Sequence, residues 1–340
     1  MLGRDLHKNN RDMECIGIDV SKKALEVAAV RKTGEFTEKV LGTHTFENDG
    51  RGLEELLSWA ERKAPHDGTL FVMEATGTYY ELAADYLHNA GKSVVVELPN
   101  KIKAYSKVRN VKTKTDRVDA KVIASYGLNC RTRLWKPMTE NLAQMRSFIR
   151  QSCSLVRERT ACKNQLHALE HSPNAPEMLK QDLIARIETL TGYIEKYQGE
   201  ALRLAAEDTG FYARAIKVAS IKGVRILTVL SVLCETNGFS ICDNVRQAVS
   251  YAGLDISLCD SGSFKSRGRI SKRGNARIRQ ALYLPAITAS HYGPEGIQKL
   301  YARVADRHPD AKKVAIIAAE RKLYTLIYTL WKKNEPFKAQ

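Results

Sequence analysis

Apolar residues first recur at strand spacing and then, from about residue 140, at helical spacing. Residues 15–20 (CIGIDV) and 24–31 (ALEVAAVR) read as short strands separated by a tight turn at Ser21-Lys22-Lys23. Residues 35–40 read as a third strand after Thr33-Gly34, which makes the opening a β-meander. Residues 48–62 carry Leu53, Leu56, Leu57 and Trp59 in the pattern of an amphipathic helix started by Asn48 or Asp49. A strand at 69–74, a helix at 79–89, a strand at 93–98 and a basic stretch follow. Strands succeeded by alternating strand and helix predict a mixed α/β sheet.

Beyond residue 140 Gly and Pro thin out, and Leu179, Leu183, Ile187, Leu190 and Ile194 recur at helical spacing. The pattern predicts two long helices over 140–206, broken at His171-Ser172-Pro173-Asn174-Ala175-Pro176. Such a pair is either a coiled coil carrying oligomerisation or a plain helical bundle. From about residue 211 helices are expected at 226–234 and 244–251, then a Gly/Ser loop, then helices near 275–290 and 311–331. The expected organisation is a disordered lead-in (1–14), an α/β domain (15–139), a helical connector (140–206) and a mostly helical C-terminal domain (207–340). There is no internal repeat.

A length of 340 residues suits two domains and a connector. Composition is ordinary for a globular chain, with 44% hydrophobic and 27% charged residues, and excludes a mostly disordered or collagen-like protein. The charge is not ordinary. Lys and Arg number 54 against 38 Asp and Glu, a net +16, which points to a polyanionic partner. The surplus is local. Residues 99–136, including Lys112, Lys114 and Arg117, hold 11 basic residues and only Asp116 and Asp119 as acids, and residues 261–280 hold seven basic residues and no acid. These tracts are either phosphate-contacting surfaces or solvated charged faces. Seven scattered Cys with no C-x-x-C pair exclude a zinc knuckle and suit free thiols in a reducing cytoplasm. The polar N-terminus is not a signal peptide, and no apolar run is long enough for a membrane helix.

Four carboxylates stand out. Asp19 and Glu74 close apolar strands, while Asp116 and Asp119 lie nearly one turn apart near the start of a helix, on one face. Such a set suits a hard divalent cation, which takes oxygen ligands and can clamp a phosphoryl displacement. Each acid also has a plain reading. Asp19 caps the turn to Ser21, Glu74 faces a helix N-terminus, and Asp116 is an N-cap with Asp119 its N3 partner.

A second segment, Asp260-Ser261-Gly262-Ser263 followed by Lys265, Arg267, Arg269, Lys272 and Arg273, places hydroxyls among cations that can stabilise a phosphate under attack. Ser in such a loop is otherwise a turn residue, and its hydroxyl needs a base or metal to become a nucleophile.

Taken in order, Ile16-Gly17-Ile18-Asp19-Val20-Ser21-Lys22, Glu74-Ala75-Thr76-Gly77-Thr78-Tyr79, Lys114-Thr115-Asp116-Arg117-Val118-Asp119-Ala120, Ala252-Gly253-Leu254 through Ser261-Gly262, and Ser271-Lys272-Arg273-Gly274 through Arg279-Gln280-Ala281-Leu282-Tyr283-Leu284-Pro285-Ala286 cover nearly the whole chain. The chain thereby resembles the transposases of the insertion-sequence-110 and -1111 groups, the DEDD transposases or bridge-RNA-guided recombinases. The resemblance implies an α/β plus α protein. Its parts are a RuvC-like (RNase H-type) mixed-sheet domain, a coiled-coil-like helical connector used in dimer formation, and a mostly helical C-terminal transposase domain. It implies a Mg²⁺ site at Asp19, Glu74, Asp116 and Asp119, and a catalytic serine at Ser261 that becomes joined to a DNA 5′ phosphate. The resemblance further implies that the two form a composite site between subunits. The implied partners are a noncoding guide RNA, donor and target double-stranded DNA and further copies of the chain, as a dimer and a tetramer in the active complex, in a bacterial or archaeal cytoplasm without a membrane partner. The family's Pro-Gly-Ile-Gly-like hairpin corresponds to Ser220-Ile221-Lys222-Gly223-Val224-Arg225, which keeps one Gly and offers Lys222 and Arg225 to phosphates. Two rival readings stand beside this one: a Mg²⁺-dependent structure-selective nuclease using the four acids alone, and a non-catalytic basic RNA-binding protein.

Overall fold

The computed structural model describes residues 13–35, 37–75, 77–113, 115–257 and 269–338. The chain divides into two compact units, Met1–Pro137 and Met138–Gln340.

The first unit opens with β1 (Glu14–Val20), β2 (Ala24–Lys32) and β3 (Glu38–Glu47). Ser21 closes the β1–β2 turn itself: its N–H donates to the Ala24 carbonyl at 2.9 Å, and its hydroxyl accepts from the Ala24 N–H at 3.0 Å. Asp19 is therefore not the turn's cap. β3 runs well past the expected 35–40, because its pairing with β2 resumes beyond an irregularity at Ala29/Val30 and continues to Glu47. Next come α1 (Gly50–Lys63), capped by Asp49, then β4 (Leu70–Glu74), α2 (Tyr80–Asn89), β5 (Ser93–Glu97), α3 (Pro99–Val108) and α4 (Asp116–Asn129). The sheet order is β3-β2-β1-β4-β5, with β1–β3 antiparallel and β4 and β5 parallel to β1. This is the RNase H-type mixed sheet that the resemblance implies.

β1 is the central strand and is buried on both faces, which explains its nearly continuous apolar run. Ile16, Ile18 and Val20 pack with Leu53, Leu56, Trp59, Ala83, Ala84 and Leu87 of α1 and α2. Cys15 lies on the opposite face with Val72, Val95, Ile102 and the α4 residues Val122, Ile123 and Ala124. Each large apolar side chain fully buried in these layers contributes about 1.5–3 kcal/mol. On the α4 face the contact is nearly backbone on backbone. A Cβ on Gly17 would lie 2.2 Å from the Ala120 carbonyl oxygen, and one on Gly127 would lie 2.6 Å from Cys15 Sγ.

The second unit begins with the long helices α5 (Glu140–Glu170) and α6 (Glu177–Glu207), separated at the expected proline-bearing break. Leu142, Met145 and Ile149 of α5 and Ala201, Leu204 and Ala205 of α6 join the C-terminal core. The hairpin base is thus continuous with the helices that follow: α7 (Thr209–Ala219), α8 (Ile226–Glu235) and α9 (Val245–Ala252). The two-residue strands β6 (Ile256–Ser257) and β7 (Arg269–Ile270) precede α10 (Ala276–Tyr292), α11 (Glu295–Arg307) and α12 (Lys312–Lys333). Val229, Leu230 and Leu233 of α8 pack with Leu323, Tyr324 and Ile327 of α12 at the centre. Helices α3, α7 and α11 were not anticipated from the pattern of apolar positions. Among the described residues no helix is long and apolar enough to cross a membrane.

Candidate active site

Four strands end at one level. Asp19 pairs with Glu26 across β1 and β2, and Glu74 pairs with Glu97 across β4 and β5. Since Ile18 pairs with Met73, Asp19 and Glu74 are the next residues of neighbouring parallel strands. Paired residues share a sheet face. The face is that of Gly17, against which α4 packs.

Helix α4 supplies the other two acids. Its N-cap is Thr115, whose side chain accepts from the Val118 N–H at 3.3 Å. Asp116 is therefore the first helical residue rather than the cap, and Asp119 follows three residues later. Asp116 is exposed and Asp119 half-buried, and two acids in the first turn complement the helix dipole.

Electrostatics shows the convergence. Burial, and then the charges of Asp119, Asp116, Glu74 and Glu26 in that order, push the Asp19 carboxyl from 3.8 up to about 6. The three other acids expected from the sequence thus act on Asp19. Their donor chemistry fits a hard divalent cation, which the mutual repulsion would favour. Among the described residues, however, no group of three or more His, Cys, Asp or Glu side chains is arranged to hold a metal ion.

Two acids of this row were missed. Glu26 accepts from Thr45 Oγ1 at 2.6 Å through Oε1, while its Oε2 is buried without a hydrogen-bond partner. Glu97 is buried and paired with Lys101 Nζ at 2.7 Å. The signal for Glu26 was a lone charge within Ala24-Leu25-Glu26-Val27-Ala28. Its significance needed the register that sets it opposite Asp19.

The second site expected from the sequence belongs to the other unit. Ser261, Ser263, Lys265 and Arg267 lie outside the described residues, as does Lys114. Arg269, in β7, and Lys272 and Arg273 are exposed on the segment leading into α10. Lys222 and Arg225 are exposed at the turn between α7 and α8, where Gly223 takes φ +92° and Arg225 precedes the first residue of α8. Lys112 is exposed before α4, and Arg117 is exposed between the two aspartates. The charges of Glu74, Asp116 and Asp119 thus act on Asp19, while the expected cations fall on several separate surface segments.

Residues 16–170 match the DEDD family of IS110 transposases, described as "Transposase". Residues 215–302 match the family described as "Transposase IS116/IS110/IS902 family". A pilin gene-inverting protein of Moraxella bovis is 27% identical over 95% of this chain and 97% of its own. The transposase for insertion sequence element IS1111A of Coxiella burnetii is 24% identical over 81% of this chain and 77% of its own. Among solved structures, RuvC of Thermus thermophilus in complex with a Holliday junction substrate aligns with 36% of this chain and all of its own, at 14% identity and a TM-score of 0.29. The two family matches follow one another in the order that the sequence motifs occur, the first extending through α5, and the chain is a transposase of the IS110/IS1111 family.

Proposed function

We propose that the protein is an RNA-guided DNA recombinase that moves its own insertion element. It would work through a carboxylate site at Asp19, Glu74, Asp116 and Asp119 and a serine nucleophile at Ser261. The observation that supports this reading is that Glu74, on the parallel strand beside β1, and Asp116 and Asp119, on the helix seated at Gly17, all act on the Asp19 carboxyl. Mg²⁺, if held by these four residues, would supply positive charge against the phosphate oxygens. The exposed Asp116 leaves the cluster open to a DNA backbone. Ser261 Oγ attacks the phosphorus of one strand; the Oγ–P bond forms, the P–O3′ bond breaks, and the 5′ phosphate stays on the protein. One proton passes in net from the serine hydroxyl to the departing 3′ oxygen. Arg269, Lys272 and Arg273 would hold the phosphate whose charge rises during the step. Lys112, Lys114, Arg117, Lys222, Arg225, Lys265 and Arg267 would hold guide RNA and donor and target DNA by their phosphates, which makes binding steeply salt-dependent. The protein would act in the cytoplasm as a homo-oligomer, a dimer that becomes a tetramer on DNA.

The test uses the element's own RNA and DNA ends. Asp116→Asn should abolish cleavage and Ser261→Ala should abolish the covalent protein–DNA adduct, both with RNA and DNA binding retained. Ser263→Ala should keep some activity. Mixing the Asp116→Asn and Ser261→Ala proteins should restore part of it if the two sites work between subunits. Cleavage by Asp116→Asn at ordinary Mg²⁺ concentration defeats the metal assignment. An adduct surviving in Ser261→Ala moves the nucleophile elsewhere.

A further inference from the structure

The described residues on both sides of the segment that carries Ser261 form two roots that are tied together. The leading root is Gly253, which ends α9 in the left-handed region at φ +67°. The trailing root is Asn275, which caps α10. Between them the Ser271 N–H donates to the Asp255 carbonyl at 2.8 Å, and the Asn275 N–H donates to the Tyr251 carbonyl at 2.7 Å. The backbones touch so closely that a Cβ on Gly274 would lie 2.4 Å from both Gly253 N and the Tyr251 carbonyl oxygen. Arg279 Nη1 donates to the Ala252 carbonyl at 2.6 Å and to that of Gly274 at 3.3 Å. Small shifts of Asn275 must therefore move the whole base of the loop.

Asn275 is held from below by a charge. Its Oδ1 accepts from the Arg277 and Ile278 N–H groups and caps α10, while its Nδ2 donates to Glu235 Oε2 at 2.7 Å. Glu235 closes α8 with a side chain only 5% exposed. Its carboxylate also accepts both Nε and Nη2 of Arg150, at 2.7 and 2.9 Å. Arg150 belongs to α5, the first helix of the long hairpin. The Tyr251 hydroxyl donates to the Glu235 carbonyl at 3.0 Å, so the other root leans on the same residue. A buried ion pair is a poor source of stability, since desolvation offsets its attraction. What this one does without substitute is fix Asn275 in direction and distance, because the bidentate fork allows Glu235 one orientation.

We propose that Arg150, Glu235 and Asn275 are positioning residues that set the base of the Ser261 loop from helix α5, so that the nucleophile is aligned only while α5 holds Glu235. The proposal rests on the assignment of Ser261 as nucleophile. It couples the long hairpin to the chemistry through three side chains.

The experiment uses the full chain with the element's RNA and DNA ends and reads three quantities: the rate of covalent adduct formation at saturating DNA, DNA affinity, and melting temperature. Asn275→Ser keeps a good helix cap but is too short to reach Glu235. Arg150→Met combined with Glu235→Leu replaces the ion pair by apolar groups, a change that buried pairs often tolerate or gain from. Both variants should melt near the parent and bind DNA equally well, while the adduct rate at saturating DNA falls roughly tenfold to a hundredfold, the order that a misplacement of about 1 Å costs. Adding Asn275→Ser to the double variant should cost nothing further, because the three act as one unit. Parental adduct rates in these variants, with none in Ser261→Ala, overturn the relay and leave the nucleophile assignment intact. Adduct lost only in step with melting temperature or DNA affinity makes the three residues merely structural and also overturns it. An adduct that persists in Ser261→Ala defeats the nucleophile assignment and the relay with it.

Discussion

Strand β1 carries an acid near each end, and the two have opposite surroundings. Glu14, at the start, is 2% exposed and is met by hydrogen-bond donors. Arg31 donates to it through Nε and Nη2 at 2.8 and 2.6 Å, the His66 N–H at 3.1 Å, and Thr69 Oγ1 at 3.4 Å. Asp19, five residues on and facing the other side of the sheet, is crowded by Asp119, Asp116, Glu74 and Glu26, which all oppose its charge. A buried carboxylate with a complete set of donors is part of the scaffold. One that is surrounded by its own kind is held there at a cost in stability, and such strain concentrates at functional sites.

Breaking the two acids separately sharpens the contrast, and the largest effect belongs to Glu14. Glu14→Ala should lower unfolding free energy by about 3 kcal/mol in a denaturant titration, the low end for breaking a buried pair, because Arg31 remains 39% exposed. Asp19→Asn should do the reverse. The carboxyl of Asp19 titrates at about 6 in the folded chain against 3.8 when free, so its folded state binds the proton more tightly. Its contribution to stability is whole below pH 4 and is lost as pH rises through about 6. In metal-free buffer the Asn variant should therefore melt higher than the parent at pH 7, equal it near pH 4, and no longer gain from added Mg²⁺. A parent whose melting temperature is flat between pH 4 and 7 would contradict this.

The next effect concerns what brings the second pair of acids to Asp19. Gly17→Ala places a Cβ 2.2 Å from the Ala120 carbonyl oxygen and 2.3 Å from Ala124 N. It should cost about 1–3 kcal/mol as α4 is pushed off the sheet. Because Asp116 and Asp119 ride on that helix, the Asp19 titration should also fall back toward its ordinary range, read by NMR of the carboxyl carbon. The smallest effect is Thr115→Ala, which removes the cap of α4 and should cost about 1 kcal/mol. It should be visible chiefly as faster hydrogen exchange in the helix's first turn, with the sheet unaffected.

Much of this was legible beforehand, and the reasons are local. Asp49 before a run of Leu at helical spacing marks the start of α1, and Asn244 and Asn275 do the same for α9 and α10. The two prolines among residues 171–176 set the break between α5 and α6. Where the local signal misled, a longer-range contact decided. Residues 41–47 join β3 because β2 is there to pair with them. Thr115 rather than Asp116 caps α4 because its backbone is the extended residue at the boundary, with φ −142° and ψ 153°.

Sequence by itself determined the five strands of the first unit, most of the helices, the basic surplus and the family, since each depends on residues near one another in the chain or on motifs read in order. Only the tertiary structure decided which acids meet. The pairing of Asp19 with Glu26 is a matter of strand register, and a shift of one residue would send either to the opposite face. The approach of Asp116 and Asp119 depends on a helix seated directly on the backbone at Gly17. The same holds for Glu14 and Asp19. Nothing in their immediate neighbours separates them, and their different surroundings come from residues 7 to 100 positions away, because electrostatics follows distance in space rather than along the chain.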